Sequence, residues 1–257
     1  MRTALILCIG LAFGLMIGGC KGTNGNNLSG TSIKQCEREI LAMRDKVKKQ
    51  QATKMDFFTL MNNMSLDPEV RKNDTALGYV CFTYAQYLDE DKQYPKAEEM
   101  VKTAIDAAAR LHRPPRAIAI VHSLLGKIYY EQSKLDSAIM IQQYLIENFR
   151  NVDAPNSPSK ESFPIWAVQA LDNYYPAAKK IDEGIAYLRQ VCQRYPGTAT
   201  SHAALAAIFD FQMQQGKKSD ALETQKLIDR QLKIEPHLSD ISRTIMSKWV
   251  DKSAVKQ

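Results

Sequence analysis

Residues His122–Phe149 read HSLLGKIYYEQSKLDSAIMIQQYLIENF. Two helical periods flank a polar turn at Gln132-Ser133-Lys134. Leu125, Gly126 and Tyr129 share a face in the first period, and Ala138, Ile141, Leu145 and Phe149 share one in the second. Apolar residues three and four apart mark amphipathic helices. The small residues Gly126 and Ala138 let two antiparallel helices approach closely, while larger side chains fill the space around them. The stretch therefore predicts a helical hairpin.

The same pattern recurs on both sides. Upstream, Tyr84, Ala85 and Leu88 precede a turn at Asp89–Tyr94, and Ala97, Val101 and Ala104 follow it. Ala85 and Ala97 are 12 residues apart, as are Gly126 and Ala138. Arg113-Pro114-Pro115 separates these two hairpins. Downstream, NVDAPNSPSKESFP (151–164) carries three prolines and three serines and predicts a loop longer than most connections. A third hairpin places Leu171 and Tyr175 before its turn and Gly184, Leu188 and Val191 after it, ending at Tyr195-Pro196-Gly197. Pro176 makes it irregular, because proline removes a helical hydrogen bond. A fourth places Leu205 and Ile208 before Gly216, with Ala221 and Ile228 after it. Its first helix is the weaker half, with Phe209 and Gln212 at the marker positions.

Small residues at 97, 138, 184 and 221 are thus 41, 46 and 37 residues apart. Helix-turn-helix units with paired small residues resemble the tetratricopeptide repeat (TPR), whose period is about 34 residues. The resemblance runs from Ala76 to Pro236. It implies an all-α chain, a TPR-like helix-turn-helix superhelix (α-solenoid), with inserted loops accounting for the longer spacings. Before the repeats, Ser32 is placed to cap a helix carrying Ile33, Cys36, Ile40, Met43 and Val47. Phe57, Phe58 and Met61 predict a short second helix, and Asp67-Pro68 a break. After the repeats, Ile241, Ile245, Met246 and Trp249 share one face behind a cap at Ser239 or Asp240. An amphipathic terminal helix of that kind covers the last face of a solenoid.

The N-terminus reads as an address. Arg2 precedes an apolar run, Ala4–Ile17, shorter than the ~20 residues of a transmembrane helix. The run ends Ile17-Gly18-Gly19-Cys20, which resembles the bacterial lipobox. That resemblance implies a signal peptide over 1–19, lipidation of Cys20 and a membrane anchor. Multiple acyl chains hold stably where one holds only marginally. KGTNGNNLSGT (21–31) has no apolar period and predicts a flexible tether over 20–31, leaving 32–257 as the TPR-like helical domain.

Composition sets the remaining bounds. Apolar residues make up 45% and charged residues 24% of the 257, enough for a core. The net charge of +6 suits an anionic membrane surface or an acidic partner, with most cations on solvated helix faces. Cys8 leaves with the signal peptide. Cys36, Cys81 and Cys192 cannot all pair, none has CxxC spacing, and each sits among apolar positions, so they read as buried free thiols.

No catalytic constellation stands out. His112, His122, His202 and His237 are isolated, and HExxH, Walker and GxGxxG patterns are missing. Ser157–Lys160 fits SxxK, but no SDN or KTG follows. Arg110, His112, Arg113 and Arg116 read as a solvated corner between repeats. The expectation is a protein that is not an enzyme and takes no cofactor, metal or nucleic acid.

The TPR resemblance places first helices on the inner, concave surface. Its registers make Tyr79, Phe82 and Gln86 candidate contacts in the first repeat and Lys127 and Tyr130 in the second. They add Trp166, Gln169 and Asn173 in the third, and Asp210 and Met213 in the fourth. Tyr and Trp combine large contact area with a polar handle, which suits an extended peptide. Arg194-Tyr195-Pro196-Gly197-Thr198, followed by Ala203-Ala204-Leu205, resembles the inter-repeat joint of envelope TPR proteins. These include lipoprotein partners of outer-membrane β-barrel assembly and the periplasmic partner of the Tol–Pal system. Pilus-assembly lipoproteins of the pilotin type share the architecture. Together the resemblances imply an interaction scaffold of the bacterial cell envelope, lipid-anchored at the outer membrane and facing the periplasm. Its expected partners are envelope proteins or extended peptides. The alternative is a lipoprotein whose groove binds a solute or glycan.

Overall fold

A computed structural model describes residues 33–112, 115–150, 162–234 and 236. Among them run eleven elements, all α-helices: α1 (Ile33–Lys48), α2 (Lys54–Leu66), α3 (Pro68–Lys72), α4 (Asp74–Glu90), α5 (Tyr94–Arg110), α6 (Pro115–Glu131), α7 (Leu135–Asn148), α8 (Phe163–Ala177), α9 (Ile181–Arg194), α10 (Ala199–Gln214) and α11 (Lys218–Ile234). The lipobox, the tether, the cap at Ser32, Arg113-Pro114, the SxxK run and the terminal stripe Ile241–Trp249 lie outside the described residues. No described helix is long and apolar enough to cross a membrane. The chain divides into two compact units, Met1–Gln132 and Ser133–Gln257.

One backbone device recurs. Gln50, Lys92, Ser133, Lys179 and Gly216 all have positive φ, between 58° and 71°. Each sits in the turn after the first helix of a pair: α1, α4, α6, α8 and α10. At four of them the same two bonds close the helix end. The Lys92 and Gln93 amides donate to Asp89 and Leu88, for example, and the Lys179 and Lys180 amides to Pro176 and Tyr175. This is the left-handed C-terminal cap that satisfies a helix's last carbonyls. Five residues after these caps stand Met55, Ala97, Ala138, Gly184 and Ala221. The last four are buried. Gly126 is buried as well, in the first unit.

The cap series adds a helical hairpin that the small-residue spacing did not count, α1–α2. Its signal is hidden because Met55 stands where the other hairpins carry alanine or glycine. Helix starts follow local chemistry. Thr53 and Asp56 form a reciprocal capping box at α2. Asp67 caps α3, Asn73 caps α4 and Thr198 caps α10 through their side-chain oxygens. Pro176 falls in the last turn of α8, which runs on to Ala177.

In the first unit α4 is the centre, packed against α1, α2, α3, α5 and α6. Phe57 of α2 stacks on Tyr87 at 4.4 Å, and Phe58 lies 6.2 Å from Tyr84. In the second unit α10 is central, packed against α8, α9 and α11. Gln212 and Thr224 share a buried 2.7 Å hydrogen bond across α10 and α11. Cys36 and Cys81 are buried free thiols and Cys192 is half-buried. Burial raises all three, to about 11, 12 and 11 respectively, so they stay protonated and unreactive at neutral pH.

Four of the five cap residues are not glycine. A left-handed conformation costs a side-chain-bearing residue roughly 1–2 kcal/mol, partly offset by glycine's greater chain entropy when unfolded. Lys92 is exposed at φ 61°. Lys92→Gly should therefore stabilise the first unit by about 0.5–1 kcal/mol. A thermal melt reads this as a small rise in midpoint; a fall would show that the Lys92 side chain contributes more than its backbone strain costs.

Candidate functional site

The candidate contacts sit on α4, α6, α8 and α10, the first helices of their hairpins. In the first unit, Tyr79, Phe82 and Gln86 on α4 are buried, with 5%, 1% and 8% of their surface exposed. For Tyr79 the cover is α1. Glu37 and Arg44 of α1 lie close enough to Tyr79 to act on its hydroxyl, and burial pushes that hydroxyl up to about 12. Arg44 also sits over the Tyr87 ring, 5.9 Å from its centre. These three residues therefore build the wall behind a surface rather than the surface itself.

On α6, Lys127 is exposed and Tyr130 half-buried. Lys127 Nζ donates to Asp89 Oδ2. Asp89, which the sequence pattern places in a turn, is 5% exposed on α4. Its other oxygen, Oδ1, is buried without a hydrogen-bond partner. Glu90 follows it, and burial, then the Asp89 charge, raise its carboxyl above the usual range. The C-terminal parts of α4 and α6 thus form one polar patch. Its signal in the sequence is the run Asp89-Glu90-Asp91, with Lys127 38 residues after Asp89.

In the second unit, Trp166 and Gln169 on α8 are half-buried and Asn173 is exposed. The Trp166 ring meets Phe163 edge-on at 5.9 Å. Asn173 Nδ2 donates back to the Gln169 carbonyl at 3.1 Å. On α10, Met213 is 39% exposed, while Asp210 is 1% exposed and accepts from the Gln214 side chain. Trp166, Gln169 and Asn173 follow each other at three- and four-residue spacing and so share one stripe of α8. Ties across helices hold this unit's frame. Gln143 Nε2 donates to the Tyr175 hydroxyl at 2.9 Å, and Lys180 and Asp136 pair at 2.8 Å.

The basic cluster is partly neutralised. Arg110 donates twice to Asp74, at 2.6 and 2.9 Å, while His112 is exposed and Arg116 half-buried. Among the described residues no group of three His, Cys, Asp or Glu could hold a metal ion. His122 and His202 are held below the usual histidine range by burial, and each points Nδ1 at an oxygen, of Ile118 and Gln231.

No family model matches the sequence, and no curated protein matches it. Solved structures do match. The nearly identical TPR-like repeats of a Podosopora anserina kinesin light chain candidate superpose with a TM-score of 0.53 at 13% identity, over 79% of this chain and 98% of that one. A point variant of the same protein gives 0.53 at 12% identity, over 78% and 95%. The fold is that of TPR-like repeats. YrrB, a TPR protein with an unusual peptide-binding site, aligns at 16% identity over 76% of this chain and 93% of that one, but its TM-score of 0.37 carries no argument.

Proposed function

We propose that the chain is a lipid-anchored TPR-like scaffold of a bacterial cell envelope that holds extended peptide segments of partner proteins. The observation that carries this is the set of first-helix positions left accessible by the repeated hairpin: Lys127 and Tyr130 in one unit, Trp166, Gln169, Asn173 and Met213 in the other. They combine aromatic area, amides and a single cation, with no acid–base cluster among them. Tyr79, Phe82, Gln86 and Asp210, being buried, belong to the interior rather than to these faces. Ile17-Gly18-Gly19-Cys20 supports an anchor at Cys20. Lys21, rather than aspartate, after that cysteine supports sorting to the outer membrane, facing the periplasm, where the partners are envelope or pilus assembly proteins.

Two measurements test this. Mass analysis of the mature N-terminus should find acylated Cys20, and Cys20→Ser should free the protein from membranes; unmodified Cys20 ends the anchored reading. Tyr130→Ala and Trp166→Ala should melt close to wild type yet lose tenfold or more in partner capture from solubilised envelopes, about 1.4 kcal/mol. Loss of folding instead would return both rings to the core. Tight binding of a small glycan with no peptide binding would replace the scaffold by a solute carrier.

A further inference from the structure

We propose that the α1–α2 hairpin tip, Lys46–Met55, is a docking surface for anionic phospholipid. The proposal rests on the anchored reading above and deepens it: the lipid brings the chain to a membrane, and this tip orients it there.

The tip reads KVKKQQATKM, with four lysines and no acidic residue. Lys46, Lys48, Lys49 and Lys54 are all exposed. Lys54 is tied to Asp91. Among the described residues, Lys46, Lys48 and Lys49 make no ion pair. Some lysines elsewhere are paired with a carboxylate, as Lys102 is with Glu98 and Lys180 with Asp136; the tip differs in gathering three unpaired ones within four residues. The tip is also pre-formed. Gln50, at φ 58°, lets the Gln50 and Gln51 amides bond back to Val47 and Lys46 at 3.1 and 2.8 Å. The Thr53–Asp56 capping box then fixes Lys54 and Met55 in the first turn of α2.

Met55 separates this tip from an ordinary solvated charge run. The equivalent position in the other hairpins is a buried alanine or glycine, yet Met55 is 69% exposed. A large exposed apolar side chain on a lysine-rich turn is the composition that enters a lipid interface, with the apolar group below the headgroups and the ammonium groups among the phosphates. An acidic protein surface would pair with the lysines but give Met55 no apolar medium.

The chain can reach. Thirteen peptide steps run from Cys20 to Ile33, a span of up to about 45 Å. Helix α1 has 16 residues and is about 24 Å long. The tip can therefore fold back onto the membrane that holds the anchor.

The test uses the full processed chain carrying Cys20→Ser, so that no acyl chain contributes. It should sediment with vesicles of phosphatidylglycerol and phosphatidylcholine, not with phosphatidylcholine alone, and high salt should release it. Each lysine at an anionic surface contributes about fivefold, so the triple substitution Lys46→Gln, Lys48→Gln, Lys49→Gln should weaken binding about a hundredfold. Met55→Ser should weaken it several-fold and leave the salt dependence intact. Circular dichroism should show all variants folded, since the four positions are exposed. Equal binding to both vesicle types, no binding to either, or an unchanged triple variant would overturn the proposal. Because the assayed chain carries no acyl group, these negative results leave the Cys20 anchor standing. Conversely, vesicle binding by a chain whose native Cys20 proves unmodified would keep the docking surface and remove the anchor.

Discussion

Gly184→Ala should destabilise the second unit, although replacing glycine by alanine inside a helix normally helps. A Cβ built on Gly184 would lie 2.8 Å from Phe211 Cε2 and 2.8 Å from Tyr175 Cγ and Cδ2. Neither ring can yield. Tyr175 is 2% exposed, its hydroxyl accepts from Gln143, and its ring meets Phe211 edge-on at 6.2 Å; Phe211 is fully buried. Overpacking costs typically 1–3 kcal/mol, and the helix-propensity gain of about 1 kcal/mol offsets only part of it. The expected net loss is about 1–2 kcal/mol for Gly184→Ala, and more than about 3 kcal/mol for Gly184→Leu, which adds three further carbons to the same gap. Gly78 is the internal control. A Cβ there meets only the Ala107 Cβ at 3.5 Å, an ordinary contact, so Gly78→Ala should gain about 0.5–1 kcal/mol. Repeat arrays are stabilised by nearest-neighbour interfaces, so the damage should be local. Hydrogen exchange should quicken in α8, α9 and α10 and stay unchanged in α4. If Gly184→Ala is neutral, or exchange quickens throughout, the close approach of the three helices at Gly184 is not what the second unit depends on.

That glycine also shows what a single sequence can disclose. Small residues at 97, 184 and 221 announced hairpins because close helix approach removes side-chain volume at one repeated place, and the cap five residues earlier, which also precedes Ala138, confirms the alignment turn by turn. The α1–α2 hairpin escaped because nothing crowds its equivalent position: Met55 is exposed, so no small residue is required there. The same omission distorted the candidate surface. Register alone says which side of α4 carries Tyr79, Phe82 and Gln86, but not that α4 is packed against α1, α2, α3, α5 and α6. Periodicity reports that a face is apolar or polar; it does not report how many neighbours a helix has. Asp89 was missed for a related reason. An acidic run after an apolar stripe reads as a turn, whereas α4 continues to Glu90 and carries Asp89 inside, against Lys127.

Phe82→Ala decides between wall and surface in the first unit. Phe82 is 1% exposed on α4, one turn from Tyr79 and one from Gln86. Truncating a buried phenylalanine removes its transfer free energy and leaves a cavity, for a cost of about 3–5 kcal/mol. That is a large share of the ~5–15 kcal/mol that holds a domain folded. The variant should therefore melt well below wild type, and any loss of partner capture should follow the loss of folded protein, recovering at low temperature. Lys127→Ala should behave in the opposite way. Lys127 is exposed and its pairing with Asp89 is half in solvent, so its removal costs little through the ion pair itself. The larger part of its effect comes from leaving the 4%-exposed Asp89 side chain without its cation. Asp89→Asn in the same chain should recover that part, which separates the buried charge from any contact Lys127 makes with a partner. A Phe82→Ala protein that melts like wild type but fails to capture partners would reverse the assignment: the ring would then belong to the binding surface, and a helix packed on α4 would have to open for a partner to enter.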